Sequence, residues 1–156
     1  MHVNHTIPPI YDVSSNILIL GSMPSVVSRN KKSYYAHPQN QFWKLLADVY
    51  EENILNKEEF LHRHHIALWD VVKSCEIEGS KDSSIRNVEC NDIVWLLKQT
   101  KIKRIFITGK KAYQLYQKYI RNETNIDAVY LPSPSPIYQM MKYGEKLNLY
   151  KQIRDS

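Results

Sequence analysis

The chain has 156 residues, enough for one ordinary domain with a sizeable core, and its 43% apolar and 24% charged fractions are near globular averages. Four glycines, seven prolines and two cysteines exclude collagen-like, low-complexity and disulfide-scaffold chains. A formal net charge of +5 permits a polyanionic partner such as nucleic acid without demanding one.

The first residues, Met1-His2-Val3-Asn4-His5, show neither a charged n-region nor an apolar h-region, so no secretory signal is expected. Asn16-Ile17-Leu18-Ile19-Leu20 is apolar, β-branched and too short for a helix, so it reads as a buried strand ended by Gly21. Residues 21–38 read as a long loop with a basic run, Arg29-Asn30-Lys31-Lys32. Phe42, Leu45, Leu46 and Val49 then share one helical face, and a short helix is expected near 57–64. Ile66-Ala67-Leu68-Trp69 reads as a second strand, followed by a polar, turn-rich stretch over 73–90. Asn91 or Asp92 can cap a helix carrying Ile93, Leu96 and Leu97. A third strand spans 103–109, a helix carries Ala112, Leu115, Tyr116 and Tyr119, and a fourth strand covers 128–131. The proline–serine run 132–136 follows, then a terminal helix over 138–154.

No run approaches the roughly 20 apolar residues of a membrane helix, so no membrane partner is expected, and with only two cysteines a reducing, cytoplasmic setting is the expectation. Strand–helix alternation predicts an α/β fold: a three-layer α/β/α sandwich around a central, mostly parallel, four-stranded sheet, in one domain over 1–156. In such sheets ligands bind beyond the carboxyl ends of the strands. The loops expected there carry Gly21-Ser22-Met23-Pro24-Ser25, Asp70, Gly109 and Ser133-Pro134-Ser135.

Each of these segments has a chemical reading and a plainer one. The turn at 21–25 can offer backbone N–H groups to a phosphate or a base, or be an ordinary strand-to-loop turn. It has neither P-loop nor dinucleotide-fingerprint spacing. Tyr34-Tyr35-Ala36-His37-Pro38-Gln39-Asn40-Gln41-Phe42-Trp43 packs four aromatics, a histidine and amides into ten residues. That mixture suits an unstacked nucleobase at Tyr35, His37 and Asn40, or a staple and cap at a helix start. The proline–serine run is stiff, which suits a loop pushed into DNA with Ile137 as wedge, or a plain connector. His62-Arg63-His64-His65 has no second ligand cluster, so no metal is expected, and Cys75 and Cys90 read as inert.

Taken together, these segments resemble the uracil-DNA glycosylase superfamily, and within it the hypoxanthine-DNA glycosylase (DNA-deoxyinosine glycosylase) branch. The likeness runs from Ile17 through the terminal helix. It is carried by the 21–25 and 34–43 motifs, by Ala67-Leu68-Trp69-Asp70-Val71-Val72 with Gly79-Ser80 and Ser84-Ile85-Arg86-Asn87, and by Leu131-Pro132-Ser133-Pro134-Ser135-Pro136. The resemblance implies a monofunctional glycosylase of base excision repair that flips deaminated bases, chiefly hypoxanthine, out of DNA and needs no cofactor or metal. It implies that Gly21, Ser22, Met23, Pro24 and Ser25 hold the flipped nucleotide and its water. It makes Tyr35 the stacking aromatic and Asn40 the catalytic asparagine. Ser133 stands where uracil enzymes keep a histidine, and Ile137 falls on their wedge.

Met23 departs from the Asp or Asn that uracil branches use on water, and Ser133 is no imidazole. Both departures agree with the hypoxanthine branch. An asparagine cannot take a proton, so Asn40 would orient water, with Asp70 as a second candidate for the general base. Plainer roles for Asp70 are helix capping or a structural hydrogen bond. His37 completes the expected substrate-binding set. Lys31, Lys32, Arg86, Ser135, Pro136 and Ile137, with Arg29, are the expected DNA contacts, and a monomer is expected to act. The alternatives are uracil or G/U mismatch removal, a catalytically dead nucleic-acid-binding domain, or a hydrolase of free nucleosides.

Overall fold

Four short apolar runs pair side by side because their β-branched and leucine side chains need cover on both faces. In the computed structural model, which describes residues 1–135 and 141–155, the elements follow in chain order. They are β1 (His2–Asn4), β2 (Ile17–Gly21), α1 (Val26–Lys31), α2 (Phe42–Tyr50), α3 (Lys57–Arg63), β3 (Ile66–Asp70) and β4 (Val72–Glu76). A 3-10 turn (Asp82–Ser84) leads to β5 (Arg86–Cys90), α4 (Ile93–Lys98), β6 (Arg104–Thr108), α5 (Lys110–Tyr119), α6 (Arg121–Thr124), β7 (Val129–Leu131) and α7 (Tyr143–Tyr150).

The central sheet has four parallel strands in the order β3-β2-β6-β7. Along β2 the side chains alternate between two cores. Leu18 and Leu20 join Ile105, Ile107, Ala112, Leu115 and Tyr116 beneath α4 and α5. Ile17 and Ile19 join Phe106, Phe42, Leu45, Phe60 and Tyr150 beneath α2, α3 and α7. The expected three layers are present. Register places Gly21 beside Asp70, and Thr108 beside Leu131, so the strand ends open on one edge.

Two features differ from the sequence reading. The stretch over 73–90 is not merely turns: β4 and β5 pair antiparallel, and β1 adds to β4, giving a second, three-stranded sheet. Register shifts along the β4–β5 ladder break the alternation that would mark a strand in sequence. The 21–38 loop also contains α1, whose start Ser25 caps by accepting from Ser28 N–H. At α4 the cap is Asp92, whose carboxylate accepts from Trp95 N–H. The terminal helix is α7, and the first residues of the expected span lie outside the described residues. Among the described residues, no helix is long and apolar enough to cross a membrane.

Phe106 is fully buried at the centre of the sheet. Phe106→Ala is expected to cost about 3–5 kcal/mol of stability, read from urea unfolding.

Candidate active site

At the carboxyl edge of the central sheet lies a cavity of about 310 Å³. Its lining includes all of Gly21–Ser25, together with Tyr35, His37, Asn40, Asp70, Ser133 and Ser135. Ser28, Tyr34, Ser80, Asp82, Thr108 and Pro134 complete it. Residues more than 100 positions apart thus share one wall, as the parallel topology requires.

Strand β2 ends at Gly21, and the site closes tightly over it. A methyl group there would lie 2.6 Å from Asp70 Oδ1 and 3.2 Å from the Tyr35 hydroxyl. The next residues are pinned to the segment between β4 and β5. Ser22 Oγ donates to Asp82 Oδ1 at 2.8 Å, and Val26 N–H donates to Ser80 Oγ at 2.9 Å. Arg29 donates to the carbonyls of Pro24 at 2.7 Å and Gly79 at 3.0 Å. The guanidinium considered as a phosphate contact therefore braces the first motif. Met23 is buried in the core and also reaches the cavity wall.

The second motif is built around aromatic packing. Tyr35 takes a left-handed backbone (φ 54°), and its ring lies flat on Phe42, 3.8 Å between centroids and 12° between planes. Burial, with Asp70 nearby, pushes the Tyr35 phenol well above its ordinary range. Tyr34 anchors the turn by donating to the carbonyls of Ile7 and Pro8, at 3.2 and 3.0 Å. Trp43 Nε1–H donates to the Tyr34 carbonyl at 3.0 Å. His37 Nδ1 accepts from Gln39 N–H at 3.1 Å, which leaves the proton of a neutral ring on Nε2. Asn40 Oδ1 accepts from Phe42 N–H at 2.9 Å. A backbone donor fixes which amide atom is oxygen, so the Asn40 NH₂ group and a second lone pair stay free to act.

Asp70, at the end of β3, is 4% exposed. Its Oδ2 accepts from His5 Nε2 at 2.8 Å. It caps no helix, and its own carbonyl accepts from Asn91 Nδ2 at 2.9 Å. Asp82 is a second carboxylate on the same wall. Burial and the charge of Asp70 push its carboxyl above the ordinary range, against the hydrogen bond from Ser22.

The closing loop has its carbonyls held one by one. Pro132 O accepts from Tyr150 OH at 2.7 Å, Ser133 O from Lys146 Nζ at 2.9 Å, and Pro134 O from Gln41 N–H at 3.0 Å. Lys146, 1% exposed, also donates to Gln41 Oε1 at 2.9 Å, and burial lowers its pKa. Ser133 Oγ accepts from Ser135 N–H at 3.1 Å.

Lys31, Lys32 and Arg86 are exposed and line no part of the cavity. Lys31 ends α1 and Lys32 caps it, beside the first motif, whereas Arg86 sits on the small sheet opposite Glu76. Pro136 and Ile137 lie outside the described residues. The histidine run divides: His62 faces Asp12 at 3.3 Å, and His64 faces Glu52. Among the described residues, no group of three or more His, Cys, Asp or Glu side chains could hold a metal. Ser28, Asp82 and Thr108 line the cavity and His5 bonds one of its lining residues, Asp70; motif reading reaches none of the four. Thr108 could have been found as the last residue before the glycine of a strand. Asp82 and His5 arrive through the small sheet, which the sequence pattern does not reveal.

The chain is similar to known proteins over most of its length. The model of the uracil DNA glycosylase superfamily matches residues 8–154. A protein of Methanosarcina barkeri named hypoxanthine DNA glycosylase is 39% identical over 120 residues, covering 73% of this chain and 75% of that protein. One of Methanosarcina acetivorans with the same name is 38% identical over 137 residues, covering 82% and 84%. A solution NMR structure of a Methanosarcina acetivorans protein assigned as a uracil DNA glycosylase superposes with a TM-score of 0.81. Its sequence identity is 32%, with 99% of each chain covered.

Two outcomes follow from the packing and charge of this site. Gly21→Ala must displace Asp70 or Tyr35, so it is expected to cost about 1–3 kcal/mol in thermal melts. A raised carboxyl pKa contributes stability below the ordinary carboxylate range and loses it as pH rises through the folded-state value. Asp82→Asn removes that loss. Its stability relative to wild type is expected to rise from acid towards neutral pH in melts across a pH series.

Proposed function

Because the chain belongs to the uracil DNA glycosylase superfamily, we propose that it is a monofunctional DNA glycosylase of base excision repair acting chiefly on deoxyinosine. The observation that carries this reading is the convergence of five motif segments on one cavity at the strand edge. The names of the two Methanosarcina relatives support hypoxanthine as the base.

The reaction is hydrolysis of the bond between C1′ and N9. Water oxygen bonds to C1′, the C–N bond breaks, and the base leaves with a proton from that water. The sugar passes through an oxocarbenium-like state, as in other glycoside hydrolysis. The protein's task is to hold the water, accept the flipped nucleotide and favour charge on the departing base. We assign the water to Asn40, whose free lone pair and NH₂ group can orient it but cannot deprotonate it. The Tyr35 ring, backed by Phe42, is a rigid platform for the extruded base. The backbone of Gly21–Ser25, with His37 and Ser133, forms the remaining wall about the nucleotide. Preorganised polar groups in such a recess are worth more than in water.

Flipping costs a few kcal/mol of stacking and pairing. Lys31 and Lys32, beside the first motif, and Arg86 are our proposed phosphate contacts. Ser135, Pro136 and Ile137 are our proposed insertion into the duplex, which a stiff segment suits. A monomer is our proposed acting unit.

The test is a labelled duplex carrying one deoxyinosine, with matched uracil and xanthine duplexes and alkali cleavage of abasic sites. Wild-type protein is expected to cleave at deoxyinosine, and Asn40→Ala to lose roughly 10²-fold or more in single-turnover rate. Cleavage at uracil alone would replace hypoxanthine as the base. Retained DNA binding with no abasic product on any duplex would sink the glycosylase reading.

A further inference from the structure

His5 lies before the first residue matched by the family model and belongs to no motif, yet its ring touches Asp70, the carboxylate that a methyl group on Gly21 would meet first. The side chains of His5 and Asp70 are 2% and 5% exposed, and Nε2 sits 2.8 Å from Oδ2. Among the described residues, no donor satisfies the other oxygen, Oδ1. That oxygen hangs over the end of β2, where Gly21 leaves it room beside the Tyr35 hydroxyl. The Asn91 side-chain amide donates to the backbone carbonyls of Asp70 and Val72 and holds the strand end, which leaves the carboxylate's rotation to be set. The bond from His5 removes that freedom.

Depth in the cavity then separates two roles. A flipped nucleotide stays tied to DNA by its sugar, so its C1′ remains near the mouth and the far edge of its base reaches the floor. Asn40 is half-buried, and Asp70 is almost wholly buried. A floor carboxylate meets the base edge, not the attacking water. Deamination of adenine changes that edge in one decisive way: N1 exchanges a lone pair for an N–H. An acceptor placed there binds the deaminated base and repels the parent.

Resting on the glycosylase reading above, we propose that Asp70 Oδ1 is the acceptor for the lactam N–H of the flipped base. His5 is the positioning residue that turns Oδ1 towards it. The segment ahead of the matched region is thereby part of the specificity apparatus.

The experiment uses the full chain and its His5→Ala, His5→Gln and Asp70→Ala variants. Three readings are taken: single-turnover cleavage of a deoxyinosine duplex, affinity for a duplex with a tetrahydrofuran abasic analogue, and thermal melting. The analogue has no base, so it is blind to base reading. His5→Ala is expected to lose about 10²-fold in rate, as misplacement of a reacting partner does, with analogue affinity unchanged. His5→Gln, whose amide can donate at a similar reach, is expected to recover most of the rate. Asp70→Ala should lose at least as much rate as His5→Ala, again with analogue affinity unchanged. An unchanged rate in His5→Ala, or a parallel fall in rate and analogue affinity, overturns the proposal while leaving the function standing. A wild-type protein inactive on deoxyinosine overturns the function itself, and this assignment with it.

Discussion

The site depends on the close approach of Asp70 to the end of β2. Parallel register puts Gly21 and Asp70 side by side, and a side-chain methyl at position 21 would collide with the carboxylate. That single missing carbon lets a buried acid, a tyrosine hydroxyl and a strand terminus share one corner. The rest of the site is arranged around the corner: Tyr35 from the second motif, Thr108 from the neighbouring strand, and His5 from the small sheet. The apolar layers close from below, so the buried polar groups in the recess act with little screening.

The closing loop solves a different problem. Pro132 and Pro134 have no N–H to give to a ladder, so β7 cannot continue through them. Their carbonyls and that of Ser133 still need donors once buried. A tyrosine, a lysine and a backbone amide supply these, from α7 and from the start of α2. The loop is shaped by its outside partners as much as by proline stiffness.

Much of this was legible in the sequence. The four strands of the central sheet announce themselves as short apolar runs, two of them closed by glycine, and parallel topology then dictates which loops meet. That argument alone gathers Gly21–Ser25, Asp70 and Ser133 to one edge. The small sheet was hidden because shifts in the β4–β5 register break the period of two. What that sheet carries was hidden with it: Asp82 lies in a stretch that reads only as polar and turn-rich, and the residues up to His5 were read only for a secretory signal. Arg29 looked like a free cation in a basic run, but its guanidinium is occupied by two carbonyls. Side-chain bonds across the fold leave no trace in local spacing.

Lys146 joins parts that the chain itself keeps far apart. Its ammonium group holds Ser133 O and Gln41 Oε1 at once, and Gln41 directly follows Asn40. The proline–serine wall of the cavity and the turn that carries Asn40 are therefore tied together by one side chain. A shift of Ser133 on substitution would be passed through one ammonium group to Gln41 and to the backbone beside Asn40.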